Sequence, residues 1–104
     1  MKFLVLLMLL LLNCETALAK DLVVVGAEWC AFCVKQKQFI QNNPEIVAKF
    51  DVEYIDADDH PEVVNKLKVK VFPSSFIFDD NHKKIGELRG FTANNFKEWI
   101  KKYE

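Results

Sequence analysis

Cys30 and Cys33 are separated by two residues in the segment Trp29-Cys30-Ala31-Phe32-Cys33, a spacing that suits thiol–disulfide exchange. In such exchange a thiolate attacks a disulfide sulfur, forms a mixed disulfide, and is released when a second thiol attacks in turn. The apolar run Leu22-Val23-Val24-Val25 just upstream predicts a strand, to be followed by a sharp turn and a helix that begins at the motif. Cys30 would then occupy the helix N-terminus, where unpaired backbone N–H groups and the macrodipole favour its thiolate. Cys33 would lie one turn below, within disulfide reach. These placements make Cys30 the attacking thiol and Cys33 the resolving one, and neither step requires a cofactor or a metal.

The elements that must position this pair follow in order along the chain. Leu22 to Val25, ending at Gly26, has the continuous apolar pattern of a strand buried on both faces in a parallel sheet. The helix after Cys30 runs through Val34 to Ile40 until Asn42-Asn43-Pro44 interrupts it and restarts it with Pro44 in the first turn. Ile46, Val47 and Phe50 are expected to continue its apolar face. Val52, Tyr54 and Ile55 predict a second strand, parallel to the first because a helix joins them, closing in the acidic turn Asp56 to Asp59. Pro61 opens a short helix carrying Val63, Val64 and Leu67. Pro73 stands at the start of a third strand, Ser74 to Phe78, rather than inside it. Asp79 to His82 is a hairpin turn, and a fourth strand through Ile85 and Leu88, bounded by Gly86 and Gly90, pairs antiparallel with the third. The last helix starts at Thr92 as N-cap and carries Phe96, Trp99, Ile100 and Tyr103 in one apolar stripe. The order β-α-β-α-β-β-α is of the α/β class.

The first residues belong outside this fold. Lys2, the apolar run Phe3 to Leu12 and the small-residue site Ala17-Leu18-Ala19 read as a secretory signal over residues 1–19, leaving one domain over residues 20–104. The apolar run is too short to cross a membrane as a helix. A competing reading is lipidation at Cys14, which follows Leu11-Leu12-Asn13, although Asn13 is a poor match for the small residue usual there. Only in that case is a stable membrane anchor expected. Either way Cys14 leaves the redox count, and an exported compartment, periplasmic or extracellular, permits Cys30 and Cys33 to be a disulfide. Residues 20–104 suffice for one small core, in which a disulfide can matter to stability. A net charge of −1 at pH 7, with Lys83-Lys84 and Lys101-Lys102 on segments of mixed sign, gives no expectation of a nucleic-acid partner.

Over nearly the whole of residues 20–104 the chain resembles the thioredoxin superfamily. Ala27-Glu28-Trp29-Cys30-x-x-Cys33 is similar to that family's active-site segment, and Pro73 falls where the family carries its cis-proline. Gly86, Gly90 and the terminal amphipathic helix also fall in familiar places. The resemblance implies a minimal thioredoxin-like fold, a four-stranded mixed sheet with flanking helices. It also implies a cis Phe72–Pro73 bond that brings the Phe72 backbone beside Cys30, so that Phe72 and Pro73 shape a substrate groove. Trp29 and Phe32 are expected on the surface beside it as apolar contacts for a partner.

The chain departs from the family in three ways. Thioredoxins proper add a strand and a helix ahead of the strand that leads into the motif, for which residues 20–104 leave no room, so the size is nearer that of glutaredoxins. They also carry a buried acid six residues before the first cysteine, where this chain has Val24; Glu28 or a water would have to substitute. Finally, Ala31-Phe32 is neither the Gly-Pro of thioredoxin nor the Pro-His of the strong bacterial oxidant. Phe32 supplies a backbone N–H that a proline lacks, one more donor for the Cys30 thiolate, which predicts a reduction potential above that of thioredoxin. The range from about −270 to −120 mV corresponds to roughly 7 kcal/mol for two electrons. One hydrogen bond to a charged group is worth roughly 1.5–3 kcal/mol, so an intermediate poise is expected.

The reading that results is an exported, monomeric thiol–disulfide oxidoreductase, leaning to a reductase that acts on protein disulfides and is fed by a redox partner protein. Oxidase or isomerase action is the alternative direction. A copper or zinc carrier is a different class, but a closed zinc site wants four ligands and residues 20–104 hold no second Cys-x-x-Cys and no Met. Haem attachment would need His where Val34 stands. A binding module with a merely structural disulfide would show a buried, slowly reducible bond. His60 and His82, both in turns, are expected to face solvent away from Cys30.

Overall fold

The computed structural model describes residues 19–104. The expected signal segment, apart from Ala19, and the lipidation site Cys14 lie outside the described residues. The chain begins with β1 (Lys20–Gly26) and turns at residues 27–30 into helix α1 (Ala31–Asn42). A 3-10 turn (Pro44–Val47) leads to β2 (Phe50–Asp56), α2 (Pro61–Leu67), the hairpin β3 (Ser74–Phe78) and β4 (Lys84–Arg89), and α3 (Ala93–Lys101). The strands lie in the order β2-β1-β3-β4. β1 pairs parallel with β2 and antiparallel with β3, and β3 pairs antiparallel with β4, so the sheet is mixed. Among the described residues no helix is long and apolar enough to cross a membrane.

β1 is central, which is why Leu22 to Val25 are all buried. Alternation along the strand sends them to opposite faces. Leu22 and Val24 meet Ile40 of α1, Ile77 of β3 and Phe96, Trp99 and Ile100 of α3. Val23 and Val25 meet Phe76, with Val64 and Leu67 of α2 packed against them. α1 stops where Asn43 folds back on it: the Asn43 side-chain Nδ2–H donates to Phe39 O over 2.8 Å and its backbone N–H to the same carbonyl over 3.0 Å. Pro44 then starts the 3-10 turn. At the other end of the chain, Thr92 Oγ1 caps α3 by accepting the Asn95 N–H over 3.2 Å.

The element order is the expected one, with three local corrections. Phe50 does not continue a helical face; it is the first residue of β2, although its side chain does join the core beside Val47. Gly86 does not bound β4 but lies inside it, under the ring of Tyr103, where an added Cβ would fall 2.6 Å from Tyr103 Cζ. Tyr103 itself lies beyond the end of α3, and its ring reaches back to Trp99 at a centroid distance of 5.6 Å.

Candidate active site

Cys30 is the N-cap of α1, with extended backbone (φ −93°, ψ 112°). The turn before it closes through Cys30 N–H donating to Ala27 O over 3.1 Å, and the first helical bond is Val34 N–H to Cys30 O, also 3.1 Å. This geometry puts the Cys30 side chain over the free N–H groups of the first turn. Its Sγ accepts the Cys33 N–H over 3.2 Å, and Cys30 and Cys33 are joined as a disulfide. Among the described residues Phe32 N–H gives no hydrogen bond to Cys30 Sγ. In this disulfide form the cap bond is made by the third helical position, Cys33.

Each cysteine is only 8% exposed, with Ala27 beside them and Phe72 packed against the group. Cys33 is seated over Gly26, where an added Cβ would stand 3.0 Å from both its Cβ and its Sγ. Trp29 lies across Phe72 edge to face, with ring centroids 5.7 Å apart. Its indole Nε1–H donates to Asp58 Oδ2 over 3.0 Å. Asp58 is fixed in turn because its own N–H donates to Asp56 Oδ1 over 2.9 Å, so the turn between β2 and α2 clamps the indole. Trp29 nevertheless remains 68% exposed and Phe32 56% exposed, as the sequence predicts.

The Phe72–Pro73 peptide bond is cis, as the resemblance implies. Pro73 is wholly buried, so it can shape the rim but offers no side-chain surface to a partner; Phe72 is half-buried at the disulfide. The segment is pinned on both sides of the proline. Ser74 Oγ–H donates to Val71 O over 2.8 Å, and Gly90 N–H donates to Pro73 O over 2.7 Å. Gly90 makes that bond from φ +80°, a conformation that glycine adopts without cost.

An open cleft of about 640 Å³ reaches Cys33 from the β2 side, rimmed by Glu28, Lys37, Tyr54, Asp56 and Asp59. Val24 lines it as a buried apolar side chain, and Glu28, considered as a substitute acid, is exposed on its rim. Partial burial raises the Tyr54 phenol above its ordinary value, which keeps it protonated at neutral pH. His60 pairs with Glu62 at 3.2 Å on the surface, and His82 stands exposed in the hairpin turn. Among the described residues no group of three or more His, Cys, Asp or Glu side chains is set to hold a metal ion.

Sequence reasoning passed over two residues that the site uses and a third buried on the same helix face as Cys33. Asp58, read only as part of an acidic turn, holds Trp29. Gly26, read as a strand end, is the floor under Cys33. Gln36, read as a helix former, is wholly buried against Ser75. Only the last had a local signal: Cys33, Gln36 and Ile40 share the three-and-four spacing of one helix face.

The Thioredoxin family model matches residues 12–102 of the chain. The matched range starts inside the segment read as a signal. A thioredoxin of Rickettsia bellii is 27% identical over 90 residues, covering 83% of this chain and 86% of that protein. Among solved structures, the fold is similar to that of Fasciola hepatica thioredoxin, with a TM-score of 0.76 at 20% identity, covering 92% of this chain and 91% of the other. It is also similar to Plasmodium falciparum thioredoxin, with a TM-score of 0.71 at 27% identity, covering 81% and 83%.

Proposed function

The chain belongs to the thioredoxin family and is a thiol–disulfide oxidoreductase, and from that premise we propose that it is exported by residues 1–19 and acts as a monomeric reductase of protein disulfides. Cys30 is the attacking thiol in this reading. The observation that carries the assignment is the cap geometry: Cys30 Sγ sits at the N-terminus of α1 and accepts the Cys33 N–H, where a helix favours negative charge.

The steps balance without a cofactor. The Cys30 thiolate attacks one sulfur of a substrate disulfide, and the other substrate sulfur leaves and takes up a proton. Cys33 then gives up its proton and attacks the Cys30 sulfur, forming the Cys30–Cys33 disulfide and releasing the second substrate thiol. Two electrons have passed to the substrate, and a dithiol partner protein must return them. Trp29, Phe32 and Phe72 form the apolar rim on which a partner chain docks, and Pro73 shapes that rim from below. Reduction rather than oxidation is the favoured direction because the family model and the curated relative that match most of the chain are thioredoxins.

Cys33→Ala should trap a mixed disulfide with substrate proteins, while Cys30→Ala should trap none; equal trapping by both, or by neither, counts against these roles. The equilibrium potential against glutathione buffers tests the direction. A value below about −220 mV supports the reductase, and one above about −180 mV marks an oxidase or isomerase. For export, residues 1–19 fused to a reporter that is active only outside the cytoplasm should switch it on, and deleting them should retain the protein inside.

A further inference from the structure

The layer between the sheet and helices α1 and α3 is built of apolar side chains such as Leu22, Val24, Ile40, Ile77 and Phe96, and one polar pair stands inside it. Gln36 and Ser75 are both wholly buried, and Gln36 Nε2–H donates to Ser75 Oγ over 2.8 Å. The Oε1 atom of the same amide is buried and accepts no hydrogen bond. A buried acceptor without a donor is costly, and native cores rarely keep one without a use.

Two placements direct that amide toward Cys33. Along α1, Gln36 is three residues after Cys33 and on the same face, and helical side chains lean back toward the N-terminus, here toward Cys33. Across the sheet, Ser75 pairs with Val24. Gly26, two residues further along the same face of β1, is the floor of Cys33. The hydroxyl and the sulfur therefore stand over adjacent positions about 7 Å apart along the strand, a gap that one glutamine side chain spans.

In the disulfide Cys33 has no proton to donate. When a dithiol partner delivers two electrons and two protons, the Cys30–Cys33 bond becomes two thiols and the partner becomes a disulfide. Cys33 S–H is then a buried donor in need of an acceptor. We propose that Gln36 Oε1, held by Ser75, is that acceptor. Gln36 is thus a positioning residue that stabilises the dithiol state and keeps Cys33 protonated while Cys30 attacks. The proposal rests on the exchange function argued above.

The test compares Gln36→Leu and Gln36→Leu/Ser75→Ala with the parent, in the full chain carrying Cys14→Ser so that a single couple is titrated. The equilibrium constant for reduction by glutathione should fall about fivefold in both variants, the size of one modest hydrogen bond, which is about 20 mV for two electrons. Denaturant unfolding should show the oxidised form held or strengthened and the reduced form weakened relative to it. With Cys30→Ser added, the infrared S–H stretch of Cys33 should move to higher frequency when Gln36 is Leu. A constant within twofold of the parent and an unmoved S–H band would overturn the proposal, since a merely structural pair shifts both redox forms alike. Should Gln36→Leu fail to fold, Ser75→Ala, which releases the amide with little change of volume, must lower the same constant or the idea is wrong. A parent couple that does not cycle at all overturns both this proposal and the exchange function, and is seen before any variant is compared.

Discussion

Gly26 lets the backbone of β1 pass directly under the resolving cysteine. Its position is fixed on the β2 side, where Gly26 pairs with Asp56 and its carbonyl accepts the Ala57 N–H over 2.8 Å, so the strand does not move freely away from a Cβ placed there. In Gly26→Ala the new carbon would meet Cys33 Cβ and Sγ at 3.0 Å, and Cys33 must yield by a few tenths of an ångström. Attack by Cys30 does not depend on that sulfur, whereas resolution does. The mixed disulfide should live about tenfold longer, given how steeply rate depends on alignment of reacting atoms, while the rate of its formation stays as it was. Stopped-flow measurement of the two phases separates them, and equal lengthening of both would remove Gly26 from the positioning of Cys33. Trp29 presents the complementary case. It is exposed yet clamped by Asp58, so Trp29→Ala should raise KM for a protein disulfide by about fivefold or more, the usual weight of a central aromatic contact. The rate with a small dithiol or disulfide reagent should be unchanged.

The same contrast between local and distant causes runs through the elements. Gly86 is inside β4 because the Tyr103 ring lies on it, and Tyr103 is held there by Trp99 of α3. Gly86→Ala should cost about 1–3 kcal/mol, the range for overfilling a packed site, while in a Tyr103→Ala background the same substitution should cost almost nothing. A double-mutant cycle by urea unfolding gives the coupling directly, and additive effects would mean that the ring does not hold the strand. Nothing in the sequence around Gly86 carries this information. A glycine there reads as a boundary because glycine usually punctuates strands, and its partner is supplied by a distant segment. Phe50 was misread for the opposite reason. Only Ala48 and Lys49 separate the 3-10 turn from β2, so the apolar spacing carries across the junction without a break. What was legible rests on strong local patterns: the continuous apolar run of β1, the Pro and Asn breaks, the Thr92 cap, and Cys30 at the head of α1. Gln36 shows the limit of that legibility, since its position on the buried face was readable but its polar type argued for the surface.

At the scale of the whole molecule the two faces of the sheet are unequally covered. Among the described residues the α1 and α3 side buries nine hydrophobic residues in one cluster, while the α2 side buries four, and α2 itself has no fully buried residue. The two helices differ in purpose as well as in packing. α1 must hold Cys30 and Cys33 rigidly, whereas α2 leads through the left-handed cap at Lys68 into the segment that ends at Phe72 and Pro73 on the rim of the site. Local opening follows the density of buried contacts, so α2 and the residues up to Phe72 should form the least stable unit of the fold. Native-state hydrogen exchange should find the amides of α2 exchanging through a low-energy opening, with those of β1 and β3 protected up to global unfolding. Reduction of Cys30–Cys33 should leave the α2 amides unaffected and lower protection mainly in the first turn of α1, because the disulfide ties that turn and not α2. Uniform protection across both helices would show that the thin face is as firmly held as the thick one. The Phe72 rim would then be a fixed wall, and partners of different shape would have to be met by the exposed side chains of Trp29 and Phe32 alone.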